Sequence, residues 1–350
     1  MKKFAGVLLL FIAVAGLVGG SRLLRLNNPD AISSSRPTAI FLQEKVNLDQ
    51  LGSILADSAD LINNKKELLW AGKLLGWRNF QPGRYQVDSG FTYDAFLSKL
   101  AKGNQDPLTL TIIPGQSKKS LIYFLSQQLR FDSLAIKEVL DDSSFLAENN
   151  ITDQSLIGHF FPATYDLYWT SNPDKVMDRI LKEFNTQVAE PYTARLDELE
   201  KSLNEIVALA SIIEWEAARD DEMPQISGLY WNRLERGMRL QADPTVNFAV
   251  KERRRLYYKD YEIDHPYNTY VHRGLPPGPI TNPSLNSIKA ALYPADHDYL
   301  FMVAKPNGYH AFTKTFAEHK QKSAEWRDYI QEQQRIKEAR EAERDTSEGS

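Results

Sequence analysis

The sequence predicts an α+β protein carried on an N-terminal apolar helix, and three observations predict it. An unbroken apolar run, Phe4–Gly20, follows Met1-Lys2-Lys3, at the short end of what crosses a bilayer. Between residues 38 and 129, short alternating segments are interleaved with apolar residues at helical spacing. From residue 205 onward, helical patterns dominate and are punctuated by Pro and Gly. The chain has 350 residues, 42% of them hydrophobic, enough for one large core or two smaller ones. A net charge of -4 argues against a nucleic-acid partner. The absence of cysteine excludes a disulfide framework, thiolate zinc sites, a cysteine nucleophile and lipid attachment through cysteine.

The N-terminal run has two readings. Ala13-Val14-Ala15 offers a signal-peptide cleavage site. Leu23, Leu24 and Leu26 extend the apolar character past Ser21 and favour a retained anchor. Lys2 and Lys3 against Arg22 and Arg25 leave orientation open. Residues 27–37, rich in Asn, Ser and Pro, read as a linker. A strand is expected over 38–45, then helices over 47–57 and 65–75, a strand over 83–87 after Pro82-Gly83, and a helix over 92–101 stopped by Gly103. A second strand–turn–helix follows: 108–113, Pro114-Gly115, 117–129. Single helices are expected over 132–149 and 176–203. Then come helices over 205–219 and 224–236, a short helix over 244–250 capped by Asp243, a long ordered loop over 265–282 and a helix over 283–292. A hairpin, 299–304 and 309–313, turns on Pro306-Asn307-Gly308. A terminal helix starts at Phe316 and gives way near Arg335 to a charged, frayed end.

The chemistry concentrates after residue 203. Ile206–Ile213 is eight consecutive apolar or small residues, a helix buried on nearly all sides. Glu214 follows, on the face of Ala210 and Val207. A carboxyl on such a face is partly desolvated and suited to hold a proton near neutral pH, as a general acid must. The structural alternative is a carboxylate that ends the buried section and pairs with Arg219 or Arg233. Glu216, two positions on, points elsewhere and reads as solvated. Arg233 is suited to hold a carboxylate or a substrate. Gln241 is suited to a sugar hydrogen bond or to a plain surface strand. Asp243 is a second carboxylate or, being followed by Pro244, a helix cap. Tyr267 and Tyr270 offer stacking faces, and Asn268 and Thr269 offer hydrogen bonds, a mix that carbohydrate sites use. The histidines show no zinc spacing. No phosphate-binding glycine loop or nucleophile elbow is present.

Five segments, ALASIIEWEA (208–217), NRLERGMRLQADPTVNFAV (232–250), HPYNTYVHRGLPPGPITNPSLNSIKAAL (265–292), YLFMVA (299–304) and GYHAFTKTFAEH (308–319), resemble the endolytic murein transglycosylases of the YceG-like family. The resemblance covers about Thr38 to Ile330 and is denser after Leu203. The family often shows IPEG and EG-x-LFPDTY where this chain has Ile113–Gln116 and Ile157–Tyr165, so two acidic residues are replaced by uncharged ones. The resemblance implies a cytoplasmic tip and transmembrane anchor (1–26), a LysM-like module (38–105) and a lysozyme-like catalytic region (106–330), with a charged tail (331–350). It also implies a single-pass protein of the cytoplasmic membrane with its catalytic domain outside, acting on nascent peptidoglycan strands beside cell-wall synthases, without cofactor or metal. Its catalytic glutamate maps to Glu214; Arg233, Gln241, Asp243, Tyr267, Asn268, Thr269 and Tyr270 are the expected substrate contacts. One carboxyl, first acid and then base, would leave a 1,6-anhydro end. A hydrolytic muramidase using Glu214 with Asp243, and a non-catalytic peptidoglycan-binding scaffold, are the alternatives.

Overall fold

The structure is a computed structural model that describes residues 2–34, 36–57, 61, 64–87 and 90–348. Helix α1 (Lys2–Leu26) carries the apolar run through Leu26 without a break. Its stretch Gly6–Leu26 has a mean hydropathy of 2.2 and is long and apolar enough to cross a membrane. The chain then folds into two compact units. The first comprises Met1–Leu110, Leu125–Asp132 and Asp166–Asn172; the second comprises Thr111–Phe124, Ser133–Tyr165 and Pro173–Ser350.

The first unit contains β1 (Thr38–Leu42), β2 (Val46–Asn47), α2 (Leu48–Asp57), α3 (Lys65–Leu75), β3 (Asn79–Phe80), β4 (Gly83–Val87) and α4 (Tyr93–Lys102). Strands β1 and β4 pair antiparallel from Thr38↔Val87 to Leu42↔Gly83. Their alternation buries Ile40, Leu42, Tyr85 and Val87 against Leu51, Leu55, Leu68 and Leu97 of the helices. Gly72 is needed where α3 meets α2, because a Cβ there would lie 2.6 Å from Leu48 Cδ1. Asn64 and Thr92 cap the starts of α3 and α4, and Gly76 and Gly103 end them in the left-handed conformation. The expected strand 38–45 stops at Leu42, and the chain resumes pairing at Val46 with a different partner, β3. The expected helix breaks after α2 coincide with residues outside the described set.

Farther on lie β5 (Leu108–Thr111), α5 (Lys118–Gln128), α6 (Ser133–Asp141), α7 (Ser143–Glu148), β6 (Thr164–Leu167), α8 (Pro173–Phe184) and α9 (Thr193–Leu199). The single helix expected over 132–149 is two, because the Asp142 side chain accepts from Ser144 N and starts α7 afresh. The long helix expected over 176–203 is also interrupted. A π-turn at Asn185–Ala189 follows α8, and Glu200, at φ 52°, ends α9.

The second unit is organised around α10 (Leu203–Glu216). Ser202 and Glu205 close a reciprocal cap at its start. Every residue from Ile206 to Ile213 is buried, each larger aliphatic contributing about 1.5–3 kcal/mol. Around it pack α11 (Met223–Glu235), α12 (Asp243–Ala249) and α13 (Leu285–Leu292), followed by the hairpin β7 (Phe301–Ala304) and β8 (His310–Thr313). The terminal helix α14 (Phe316–Glu348) runs well past the expected end near Arg335. Helix α10 stops at Glu216, three residues short of the expected end.

The loop over 265–282 is ordered by buried polar groups. Ser211 Oγ on α10 accepts from Ile280 N at 2.9 Å. Asn282 is fully buried. Its Nδ2 donates to Ile113 O (2.9 Å) and Phe160 O (3.0 Å), and its Oδ1 accepts from Gln116 N (2.7 Å). Asn282→Ala would leave Phe160 O unpaired in the interior and remove the partner of Ile113 O and Gln116 N at part-buried positions, with a buried unpaired group costing about 1–3 kcal/mol. A loss of about 3 kcal/mol is expected in urea unfolding of the full chain in detergent; a loss below about 0.5 kcal/mol would contradict this role.

Candidate active site

Two glutamates end α10, and they sit about 200° apart around its axis. Glu214 turns toward α13. Its Oε2 accepts from Ser284 N and from Ser287 Oγ, both at 2.9 Å. It is thus a carboxylate placed on the N-terminus of another helix, where the dipole is positive. The arginines considered as its partners are elsewhere. Arg219 lies over the Tyr309 ring, and Arg233 is spent on backbone carbonyls.

Glu216 turns the other way, into a cavity of about 480 Å³. The reading of this residue as solvated is corrected here. Burial pushes its carboxyl up to about 7, and the charge of Asp243 adds to that push; a hydrogen bond from Tyr230 and the charge of Arg233 oppose it. Tyr230 Oη donates to Glu216 Oε1 at 2.9 Å. Tyr230 is itself buried, which raises its pKa well above the usual phenol value and keeps it a neutral donor.

Asp243 lines the same cavity. The expectation that it caps α12 fails. Ala242 holds the capping position and the Asp243 side chain makes no capping bond. Its carboxylate accepts instead from Tyr270 Oη at 2.6 Å and from Tyr261 Oη at 3.4 Å. Burial and then Asp243 push the Tyr261 hydroxyl up to about 12 and raise Tyr270 as well, so both remain donors.

Arg233 is 7% exposed. Its Nε donates to Leu300 O and its Nη1 to Leu240 O, both at 2.6 Å. It ties α11 to β7 and to the segment that carries Gln241, while lending positive charge to the cavity. Gln241 is held at φ 49°, a strained position for a side-chain-bearing residue. It lines the cavity, and its backbone N donates to Thr269 O at 3.1 Å.

Of the expected contacts, Arg233, Gln241, Asp243 and Tyr270 converge on the cavity and the others do not. Tyr267 is in the core, its ring 4.4 Å from that of Phe248. Asn268 is fully buried and donates to Tyr261 O and Ile263 O while accepting from Tyr270 N. Thr269 is buried, accepting from Ala242 N and bonding Thr245 Oγ1. These three build the wall that presents Tyr270 and Asp243.

Glu216, Tyr230, Phe301, His310 and His319 are cavity residues that the sequence reading left out. His310 Nδ1 meets buried Glu222 Oε2 at 2.7 Å, and Glu222 Oε1 accepts from His310 N at 2.6 Å. This fixes the ring against the wall. His319 stacks on Phe301, and burial lowers its pKa, with Arg233 adding to the effect. Among the described residues, no group of three or more His, Asp or Glu is placed to hold a metal ion.

The sequence matches the YceG-like family over residues 40–325. The chain belongs to that family. It is 32% identical over 324 residues to a protein of Bacillus subtilis named endolytic murein transglycosylase, covering 87% of this chain and 89% of the relative. A protein of the same name from Streptococcus pneumoniae is 26% identical, over 87% of this chain and 61% of its own length. A solved structure of a yceG-like protein of Listeria monocytogenes at 2.6 Å superposes with a TM-score of 0.59 and 28% identity, over 82% of this chain and 99% of that one. Gln116 uses its N–H and its carbonyl, the latter accepting from Thr281 Oγ1 at 2.7 Å. Gly158 sits where a Cβ would fall 2.5 Å from Val207 Cγ1.

The raised carboxyl of Glu216 makes stability depend on pH. The folded chain holds this proton more tightly than the unfolded chain, whose carboxyl titrates near 4.5. Its contribution is therefore complete below the unfolded value and is lost as pH rises through about 7. Glu216→Gln carries no charge to desolvate. It should melt close to wild type at pH 4 and a few °C above it at pH 8, read by thermal denaturation at both pH values. A variant melting below wild type at pH 8 would contradict the assignment.

Proposed function

We propose that this chain cleaves peptidoglycan glycan strands internally, with Glu216 as the acid and base. The observation that carries this reading is a single carboxyl pushed up to about 7 inside a cavity that also holds Asp243, Tyr230, Tyr270 and Gln241. Near neutral pH such a group is divided between protonated and ionised forms, which suits a residue used in both states. The family's curated relatives in Bacillus subtilis and Streptococcus pneumoniae are named endolytic murein transglycosylases, which supports the same substrate here.

The steps follow from one carboxyl used twice. Protonated Glu216 gives its proton to the oxygen between N-acetylmuramic acid and N-acetylglucosamine, and the C1–O bond breaks. Positive charge develops at C1 and its ring oxygen. The Asp243 carboxylate in the same cavity favours that charge, and in the resting state it helps hold the proton on Glu216. Ionised Glu216 then takes the proton from the muramic C6 hydroxyl as its oxygen bonds C1. The 1,6-anhydro ring closes without water. The hydroxyl is tethered to the reacting sugar, so its effective concentration exceeds that of solvent.

Hydrolysis is the reading that Asp243 favours, since it is a second carboxylate in the cavity and not a cap. Against it, two tyrosine hydroxyls already donate to that carboxylate. Both occupy lone pairs that a base or nucleophile would have to present. Glu214 serves as an N-terminal partner of α13 in this account. The order of residues 38–87, two helices enclosed by strands of which the outer pair, β1 and β4, lie antiparallel, supports a LysM-like module in the first unit. The apolar helix α1 supports a single-pass anchor; a murein substrate would require the catalytic region to lie outside the cytoplasmic membrane, where cell-wall synthases would be its neighbours.

Glu216→Gln should lose about 10³-fold or more in strand cleavage, whereas Glu214→Gln should stay within about tenfold of wild type. Mass analysis of digested, uncrosslinked strands should show anhydro-muramic ends, lighter than hydrolysed ends by one water. A large loss in Glu214→Gln with Glu216→Gln left active would return the role to the Glu214 side of the helix. Reducing ends throughout would make Asp243 the second catalytic carboxylate. A fully active Glu216→Gln chain would remove the catalytic assignment.

A further inference from the structure

A second cavity, about 900 Å³, adjoins the first, and Asp243 lines both. The chain segment 254–261 makes most of its wall, with Arg254, Arg255, Tyr257, Tyr258, Lys259 and Tyr261. This segment is unusual in what it exposes. Tyr258 is 94% exposed and Tyr257 61%, although aromatic rings of that size normally cover something. Arg255 and Lys259 are exposed and form no ion pair within 4.0 Å among the described residues, whereas the neighbouring Arg254 forms two.

The exposed groups are nevertheless built in. Asp260 is 3% exposed. It takes Arg254 in a two-pronged pair at 2.7 and 3.1 Å and accepts from Tyr257 N at 2.7 Å. Arg254 first, and then the Tyr257 amide, lower the Asp260 carboxyl to about 2. A buried carboxylate, a forked guanidinium and a backbone amide therefore fix the turn that carries two solvent-facing rings. Fixing such a turn spends ordering entropy before any ligand arrives, which is the condition for binding at low further cost. Tyr261 closes the arrangement by donating to Asp243 at the junction of the two cavities.

We infer that the segment 254–261 is a second subsite that holds the glycan strand outside the cleavage cavity, with Tyr257 and Tyr258 against the sugar rings and Arg255 and Lys259 facing the strand's carboxylates. The inference rests on the proposed reaction for the identity of the strand. A polymer cut internally has to extend beyond the reacting pair of sugars, and the second cavity lies directly beyond Asp243. Flat rings suit the apolar faces of pyranoses. Unpaired cations suit a chain that carries lactyl or peptide-stem carboxylates at every second sugar.

Binding measured without turnover tests it. The full chain carrying Glu216→Gln is held in detergent and titrated with two probes: uncrosslinked peptidoglycan strands, and the carboxyl-free hexamer of N-acetylglucosamine. Adding Tyr258→Ala should weaken both by about tenfold. Adding Arg255→Ala with Lys259→Ala should weaken the strands by about tenfold in 50 mM salt and much less in 500 mM, and leave the hexamer unchanged. All these side chains are exposed, so the fold should survive, and melting curves check that it does. Unchanged strand affinity in both variants would overturn the subsite. Equal weakening of strand and hexamer by the cation variant would overturn the carboxylate contact. Digestion of strands by the wild-type chain is scored separately, so a failure of the proposed reaction is told apart from a failure of the subsite.

Discussion

A helix whose side chains are buried on every side for eight residues has to leave the core at its end, and the site depends on how α10 does so. Its last turn carries Glu214 and Glu216. Both sit at the negative end of the helix dipole, where a carboxylate is disfavoured. Glu214 escapes that penalty because α13 presents its N-terminus, through Ser284 N and Ser287 Oγ. Glu216 has a neutral phenol and the charge of Asp243 as neighbours instead. Two residues of identical chemistry, two positions apart along the chain, therefore divide into a partner for the start of α13 and a group poised between acid and base.

The surrounding elements serve that division. Asn268 and Thr269 lock the loop that aims Tyr270 at Asp243. Arg233 spends its hydrogen bonds on Leu300 and Leu240 and keeps its charge beside Glu216. Glu222 holds His310 in the opposite wall. The cavity is thus lined by groups whose positions are set by buried bonds rather than by solvent, which is how fixed charges act on a developing charge without first reorganising.

Much of this was legible in the sequence. The run Ile206–Ile213 announces a buried helix, and four of the expected contacts do reach one cavity. What was not legible is which way each side chain turns. The choice between Glu214 and Glu216 depends on α13, a partner seventy residues away in the chain. Asp243 carries the local signature of a helix cap, yet the hydroxyls of Tyr261 and of Tyr270 in the loop donate to it instead. Tyr267, Asn268 and Thr269 have the composition of a sugar site but are consumed by packing and backbone satisfaction, because a long loop crossing the core has amides to pair. The breaks at Asp142 and Glu200 were hidden for a local reason: amphipathic spacing continues across them while the backbone does not.

The central claim is that Glu216 is a carboxyl that changes protonation near neutral pH. Carbon-13 spectra of glutamate-labelled protein, wild type minus Glu216→Gln, isolate the Glu216 carboxyl directly. The account predicts one titration with its midpoint near 7, as burial beside Asp243 requires. A midpoint at the ordinary carboxylate value near 4.5 would contradict it.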